Sequence, residues 1–205
     1  RPIYSATAQL QGISAAWTGG QPHFVFAPTP PPSEVRILAL EPGGLRASGS
    51  PSPFLHSGTA LPYTPRFSPD GRTIAYAGLL NNGVEIWAAD ADGTNHRQLT
   101  HLGSKDGAFP KWSPDGRHIV LQPIVTATAV RQIYVLDLDA SGGGTTRMLT
   151  HSNVMGVGLP SFSLDGKYIY ASTHHSPIVP IPAVPVPPGR RVAVCAPPRP
   201  PGPPR

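Results

Sequence analysis

Cysteine, charge and long hydrophobic runs are all scarce in this 205-residue chain. The single cysteine, Cys195, excludes an intramolecular disulfide and a cysteine-based metal site, and it indicates no redox compartment. Only 13% of the residues are charged. No uninterrupted apolar run reaches the roughly 18 residues that a transmembrane helix needs, so the sequence predicts no membrane span. Helical periodicity is also absent, which favours a β-rich domain of modest size.

Acidic residues are missing from the last 32 residues, which contain four arginines. This segment contributes four of the five formal net positive charges, because the rest of the chain has 12 basic and 11 acidic residues. A nearly neutral body lacks the basic surface on which nucleic-acid binding depends. We therefore expect no nucleic-acid partner.

An internal repeat with a spacing of 45 to 50 residues organises most of the chain. Each unit begins with an aromatic anchor, and a Phe or Ile follows seven residues later in a short β-rich run. The last three anchors each have a proline two residues before them. The anchors are Trp17, Phe67, Trp112 and Phe162; the residues seven positions later are Phe24, Ile74, Ile119 and Ile169; the prolines are Pro65, Pro110 and Pro160.

A turn signature directly follows the last three anchors. Ser at the first position, Pro at the second and Gly at the fourth are the preferences of a type I turn, and Asp at the third can bond the local backbone. We predict that it reverses the chain between the first two strands of a unit, while the anchor packs between units. The residues are Ser68, Pro69, Asp70 and Gly71; Ser113, Pro114, Asp115 and Gly116; and Ser163, Asp165 and Gly166, with Leu164 in place of proline.

Two further β-rich segments follow in the first three units. Four short strands in each unit are typical of a β-propeller blade. The predicted fold class is all-β, a partial β-propeller of about three to four four-stranded antiparallel blades. The third strands are expected within 35–40, 84–89 and 132–136, and the fourth within 54–56, 97–101 and 147–151.

Composition divides the chain into three parts. Residues 1–12 form an N-terminal lead-in, residues 13–173 carry the propeller repeats, and residues 174–205 form a tail with 12 of the 28 prolines. The pattern of the fourth unit stops after its second strand, 167–171. Since such a tail cannot offset its ordering entropy by burial, we predict a disordered Pro-rich and Arg-rich segment.

Three histidines are the strongest candidates for a site. His56, His101 and His151 each lie 11 residues before the next anchor, in loops that lead from one unit to the next. Equivalent positions place them on one face of the ring, which suggests a metal site. Neighbouring blades diverge at this point, however, so we expect solvated histidines and no metal.

Other chemical signatures are weak. The segment Asp137-Leu-Asp-Ala-Ser-Gly142 resembles the start of a calcium loop, but Met148 stands where a bidentate Glu is needed, so a strand-end turn is expected. No nucleophile elbow, Walker loop or His-Glu-x-x-His sequence occurs. We predict no catalytic residue and no cofactor.

The repeats resemble a known family. The residues that carry the resemblance are Phe-Ser-Pro-Asp-Gly-Arg-Thr-Ile-Ala-Tyr at 67–76, Val-Glu-Ile-Trp-Ala-Ala-Asp-Ala-Asp-Gly-Thr-Asn at 84–95 and Arg-Gln-Leu-Thr-His at 97–101. They are similar to the WD40-like (PD40) repeats of the TolB propeller family, over about residues 13–173. Proteins of this family carry six or so blades, whereas this chain has three full units and part of a fourth. We therefore expect a fragment of a longer bacterial protein, with self-association of two chains to complete a ring as the alternative.

The resemblance also implies a function. TolB works by binding other proteins in the periplasm, so the leading hypothesis is a non-enzymatic module that binds a protein or peptide, in a periplasmic or otherwise extracytoplasmic location. A cytoplasmic location is the alternative. Related blades cover the active site of prolyl-oligopeptidase-like serine peptidases, and others follow winged-helix domains. The rival hypotheses are therefore a substrate-gating propeller of such a peptidase and the sensor half of such a regulator.

Overall fold

The computed structural model describes residues 9–18, 21–29, 34–43, 46–55, 60–81, 83–105, 107–125, 131–150, 157–173 and 191–194. Within these ranges the chain forms fifteen strands and no helix, so none of the described residues belongs to a helix that could span a membrane. The strands are β1 Gln9–Thr18, β2 Gln21–Thr29, β3 Val35–Ala39, β4 Ser52–Leu55, β5 Leu61–Phe67, β6 Thr73–Leu80, β7 Gly83–Asp90, β8 Arg97–Gln98, β9 Lys111–Trp112, β10 His118–Leu121, β11 Tyr134–Leu138, β12 Gly144–Met148, β13 Val157–Phe162, β14 Tyr168–Thr173 and β15 Arg191–Val194.

The strands form four sheets, one for each sequence unit. The first three sheets, β1–β4, β5–β8 and β9–β12, are four-stranded and antiparallel, and each strand pairs with the next along the chain. The first strands of successive units, β1, β5, β9 and β13, lie beside one another and are called the inner strands below. Sheets that radiate from adjacent inner strands are the blades of a β-propeller, which confirms the predicted fold class.

The hydrophobic core lies between the units. Ile74, Ile119 and Ile169, each seven residues after an anchor, are buried in three successive clusters that join units one and two, two and three, and three and four. Phe67 belongs to the first cluster, and Trp112 packs against the second. Phe162 packs against the third in the same way. These anchors therefore pack between neighbouring blades, as the repeat predicts.

The turn after each of these anchors is built in the same way. The Ser hydroxyl donates to the Asp carboxylate at 2.5 to 2.6 Å and accepts the N–H of the residue five positions later at 2.9 to 3.0 Å. The glycine N–H closes the turn on the Ser carbonyl at 2.9 to 3.0 Å. Gly71, Gly116 and Gly166 have φ of 69°, 67° and 68°, a backbone conformation that glycine adopts without strain. The Ser and Asp side chains thus take over backbone hydrogen bonds in the turn.

Successive turns also touch each other. A Cβ on Gly116 would lie 3.8 Å from Cδ of Pro69, and a Cβ on Gly166 would lie 3.7 Å from Cδ of Pro114. The proline of one turn therefore packs over the glycine of the next. Leu164 takes the place of proline in the last turn and is 98% exposed.

Replacing Leu164 with proline is expected to stabilise the fold. The hydrogen bonds of this turn match those at Pro69 and Pro114, so the backbone already suits proline, and the rigid ring reduces the entropy of the unfolded chain. We expect Leu164→Pro to raise the free energy of unfolding by about 0.5 to 1 kcal/mol in a urea titration. Leu164→Ala, which leaves that entropy unchanged, should have little effect, and an equal gain in both variants would contradict the explanation.

The outward face of the fourth sheet is exposed. Ala75, Val120 and Tyr170 each lie eight residues after an anchor. Ala75 and Val120 are fully buried because the next unit packs on them, whereas Tyr170 is 45% exposed. Tyr168 lies beside Tyr170 with ring centroids 6.5 Å apart. Within the described part of the chain, no further unit covers this pair.

Four residues of the tail form a strand where the sequence predicts disorder. Arg191–Val194 form β15, which pairs in parallel with β14, although we predicted disorder across 174–205. The open edge of β14 offers unpaired backbone groups, and Val192 and Val194 are residues with high β-propensity. Residues 174–190 and 195–205 lie outside the described residues, so disorder there stays a prediction.

Candidate binding channel along the inner strands

The inner strands share a repeated irregularity. The pairing of β5 with β6 shifts between Tyr63 and Arg66, so Thr64 and Pro65 together oppose a single residue. Similar shifts occur in β1 and in β13. An extra residue of this kind is a β-bulge, and it moves every later side chain to the other face of the strand. The bulge therefore sets which side chains face the concave side of the blades.

The residue before the repeated proline has an uncommon backbone conformation in three units. Thr64, Phe109 and Leu159 have φ of 48°, 37° and 46°, each three residues before an anchor and directly before the repeated proline. Positive φ is costly for residues other than glycine, most of all for a β-branched residue such as Thr64. Thr64 is also buried, and its hydroxyl bonds to no described residue. Strain of this kind often accompanies binding sites, where it fixes the direction of nearby side chains.

A depression of about 550 Å³ lies where the four inner strands meet the turns, and it is called the channel depression below. All four inner strands contribute to it, so it lies on the concave side of the arc of blades. The residues that directly precede the four anchors line it together. They are Ala16, Arg66, Lys111 and Ser161, and the remaining lining residues are Ala15, Phe67, Ser68, Pro69, Asp70, Gly71 and Trp112.

Hydrogen bonds fasten these inner strands to each other. Nη1 of Arg66 donates to the carbonyl oxygens of Ile13 and Pro65, both at 2.8 Å. Ser14 Oγ accepts the N–H of Phe67 at 3.0 Å, and Nε1 of Trp112 donates to the carbonyl of Arg66 at 3.0 Å. Strands β1, β5 and β9 are therefore connected by side chains as well as by packing. Such cross-connection preorganises the wall of the depression.

Arg66 and Lys111 place two positive charges in the channel depression. Both are half-buried, and neither forms an ion pair among the described residues. Burial lowers the pKa of Arg66, while burial and the neighbouring charge of Arg66 lower the pKa of Lys111. The carboxylate of Asp70 also lines the depression, but it accepts hydrogen bonds from Ser68 and from the N–H of Arg72. The depression thus combines two cations that have no carboxylate partner in the described part of the chain.

Arg66 and Lys111 were not predicted as site residues from the sequence. A signal was available, because both directly precede an anchor and strand residues alternate between faces. If the anchor packs between blades, the residue before it points elsewhere. The residue at this position differs between units, being Ala16 in the first and Ser161 in the fourth. The position therefore does not stand out as part of the repeat.

One of the three predicted histidines, His101, lies within the described residues. His101 is exposed, and its Nδ1 lies 2.9 Å from Nε2 of Gln98. His56 and His151 lie outside the described residues, so their shared face stays a prediction. Across the described ranges, no group of three His, Cys, Asp or Glu side chains could hold a metal ion.

The segment that resembles a calcium loop has its carboxylates engaged within the protein. Asp137 bonds His118 at 2.6 Å and Arg147 at 2.8 Å. Oδ1 of Asp139 accepts hydrogen bonds from the N–H and hydroxyl of Ser141 and from the N–H of Gly143. Asp139 therefore closes the turn between β11 and β12.

A buried polar pair beside the histidines was missed from the sequence. Thr100 accepts the N–H of Ile86 at 2.9 Å and donates to Glu85 at 2.6 Å. Thr150 of the third unit likewise accepts the N–H of Ile133 and donates to Gln132 at 2.7 Å. Both threonines belong to the repeated Leu-Thr-His sequence, where the histidine drew attention although the threonine is the buried residue.

A second depression, of about 630 Å³, lies between units two and three. Its charged side chains include both acids and bases. Arg97 there forms an ion pair with Asp90 and approaches the carbonyl of Gly142 at 3.4 Å. Because this second depression mixes acids with bases and Arg97 has a carboxylate partner there, the channel depression is the stronger candidate for a ligand.

Radiating four-stranded sheets, anchors between blades and a repeated Ser-x-Asp-Gly turn define a β-propeller of the WD40-like class. The family model described as "TolB beta propeller domain" (PD40) matches residues 47–177, which is more than half of the chain. The chain belongs to this family.

Individual relatives match only parts of their own length. Tricorn protease homolog 1 of Streptomyces coelicolor is 31% identical over 84 residues, which cover 41% of this chain and 8% of that protein. The crystal structure of TolB from Acinetobacter baumannii has a TM-score of 0.59 at 19% identity. The match covers 82% of this chain and 39% of that chain. The crystal structure of puromycin hydrolase has a TM-score of 0.58 at 17% identity. The match covers 83% of this chain and 32% of that chain. These structures share the fold with this chain, which spans less than half of each relative.

Proposed function

We propose that the chain is a non-catalytic module that binds a protein or peptide segment in the channel depression. The observation that carries the proposal is a concave, cross-connected wall with two half-buried cations that have no carboxylate partner among the described residues. Functional groups on a rigid scaffold bind with little loss of conformational entropy. The family membership supports the same interpretation, because the resemblance to TolB implies a role in binding other proteins.

The mechanism is rigid presentation. The inner strands provide apolar surface from Ala15, Ala16 and Trp112 beside the charges of Arg66 and Lys111. A segment that enters the depression would bury apolar atoms against the first group and place a polar end near the second. Affinity would depend on a few such contacts rather than on total buried area.

Blocking the depression is expected to abolish binding. Ala15 lines the depression with an exposed side chain, so Ala15→Trp would fill space without removing a core contact. We expect at least a tenfold loss of affinity, roughly 1.4 kcal/mol, for peptides selected from a random library on the unmodified chain. Ser141→Trp, at the exposed turn between β11 and β12, is the matched control and should bind normally. Equal binding by both variants would place the ligand elsewhere and overturn the proposal.

A second candidate function is a substrate-gating propeller of a peptidase. The similarity to tricorn protease homolog 1 over 84 residues is the observation that favours it. In that case, Ala15→Trp in a longer protein that carries a peptidase domain should change the length of substrates cleaved. A catalytic rate that is independent of substrate length in both proteins would contradict gating.

We also propose an extracytoplasmic location for the chain, which the resemblance to TolB supports. Fractionation of cells with a periplasmic and a cytoplasmic marker tests this proposal. Recovery with the cytoplasmic marker would overturn it.

A further inference from the structure

The two cations of the channel depression lie at equivalent positions of neighbouring blades. Arg66 ends its inner strand directly before Phe67, and Lys111 directly precedes Trp112 in the next unit. The bulge in β5 sets the face on which Arg66 lies. The side-by-side arrangement of neighbouring inner strands therefore places two like charges next to each other.

Two like charges in a half-buried site destabilise the folded chain unless an anion accompanies them. Arg66 uses Nη1 for the carbonyls of Ile13 and Pro65, while its Nε and Nη2 groups bond to none of the described residues. Lys111 forms no hydrogen bond or ion pair among the described residues, and its three donors are available. Donors from two neighbouring side chains in one depression suit a small group with two acceptor oxygens.

We infer that Arg66 and Lys111 together bind a carboxylate of the partner peptide, either its C-terminus or an Asp or Glu side chain. This inference rests on the proposed function and names the chemistry of its ligand. A carboxylate offers one oxygen to each cation, and charge-assisted hydrogen bonds of this kind are about twice as strong as neutral ones. The apolar atoms of Ala15, Ala16 and Trp112 suit the aliphatic part of a peptide beside it.

A nucleic-acid backbone fits these features less well. Binding of a polyanion depends on many phosphate contacts along an extended basic surface. Here the depression has two cations and also contains the carboxylate of Asp70. A single carboxylate therefore matches the local charge better than a chain of phosphates.

Lys111→Gln is the cleanest variant for a test, because the Lys111 side chain forms no hydrogen bond or ion pair with the described residues. Arg66→Gln would also remove the hydrogen bond from Arg66 to Ile13 that joins β5 to β1, so it is less informative. Arg72→Gln is the matched control, since Arg72 is exposed and lies on the turn beside the same depression. Lys111→Arg keeps the charge and should behave like the unmodified chain.

The first arm of the experiment uses acetate as the probe, against chloride at equal ionic strength, with thermal unfolding of the full chain as readout. Acetate should raise the Tm of the unmodified chain and of Arg72→Gln by about 2 to 4 °C, and it should leave Lys111→Gln unchanged. In chloride alone, Lys111→Gln should have a higher Tm than the unmodified chain, because it removes the repulsion from Arg66. No acetate-specific shift in the unmodified chain would overturn the inference.

The second arm measures peptide affinity by fluorescence anisotropy with a neutral dye. The probes are penta-alanine with a free carboxylate, its C-terminal amide, and an amidated form with a central glutamate. We expect the affinity for the free acid to exceed that for the amide by about tenfold or more. This difference should disappear in Lys111→Gln. Tight binding of the glutamate peptide would assign the site to a side chain, and tight binding of the free acid alone would assign it to a terminus.

The outcomes separate the inference from the proposed function. Equal binding of acid and amide, unchanged in Lys111→Gln, overturns the carboxylate site while peptide binding stands. An acetate effect that requires Lys111, without binding of any peptide, supports the carboxylate site and contradicts the peptide-binding function. Preferential binding of a short deoxyoligonucleotide overturns the carboxylate assignment.

Discussion

Replacing Glu85 with alanine is expected to lower the free energy of unfolding by about 3 kcal/mol. The carboxylate of Glu85 is buried and accepts three hydrogen bonds, from the hydroxyl of Thr100 and from the N–H groups of Leu102 and Gly103 at 2.9 and 2.5 Å. Alanine would leave these donors without their partner where the segment after β8 leads to the next blade. Hydrogen bonds to a charged acceptor are worth more than neutral ones, and unpaired buried donors add a desolvation cost.

A matched control separates hydrogen bonding from charge. Gln132 takes the place of Glu85 in the third unit and accepts the hydroxyl of Thr150, so an amide is compatible with this position. We expect Glu85→Gln to cost about 1 kcal/mol, because its oxygen can still accept while its NH₂ faces one donor. Urea denaturation followed by circular dichroism measures both values. If Glu85→Ala unfolded within about 0.5 kcal/mol of the unmodified chain, a surface role for Glu85 would be indicated instead.

Truncation of Ile119 to alanine should cost about 3 kcal/mol. Ile119 is completely buried, and its cluster joins Ala75 and Ile86 of unit two to Leu136 of unit three. Removing its outer carbons would lose the free energy of transferring them out of water. It would also leave a cavity between two blades, because the surrounding strand pairs hold the blades in place. Thermal and urea denaturation of the purified variant measure the loss.

Position rather than residue type should decide this result. Leu164→Ala removes a similar amount of apolar side chain from a residue that is 98% exposed, so it should change stability by less than about 0.5 kcal/mol. Ile119→Val, which removes one methylene, should fall between the two at about 1 kcal/mol. A flat series would contradict the assignment of Ile119 to the inter-blade core.

The repeat allowed much of the fold to be predicted from the sequence. Phe67, Ser68 and Ile74 recur in register with Trp112, Ser113 and Ile119, and each has one dominant role, in packing or in a turn. Such roles depend on nearby residues and on alternation, which a single sequence displays. The parallel strand β15 was not predictable, because it pairs across a gap in the repeat and depends on an open strand edge.

The candidate site was harder to predict for physical reasons. Thr64 and Leu159, in the bulges of β5 and β13, adopt positive φ without being glycine or asparagine, so no turn propensity indicates these bulges. The face on which Arg66 lies depends on that bulge, and a shift of one residue reverses it. The buried roles of Thr100 and Glu85 were missed for a similar reason, since polar residues in short strands usually indicate a solvent-exposed face.

Hydrogen exchange of the full chain, with and without penta-alanine bearing a free carboxylate, tests the central claim most directly. We predict slower exchange in the inner strands, at Leu61–Phe67 and Lys111–Trp112, with no change in the outer strand Gly144–Met148. The ligand would then occupy the channel depression between the blades. Protection confined to Gly144–Met148, or none in the inner strands at saturating peptide, would contradict the account.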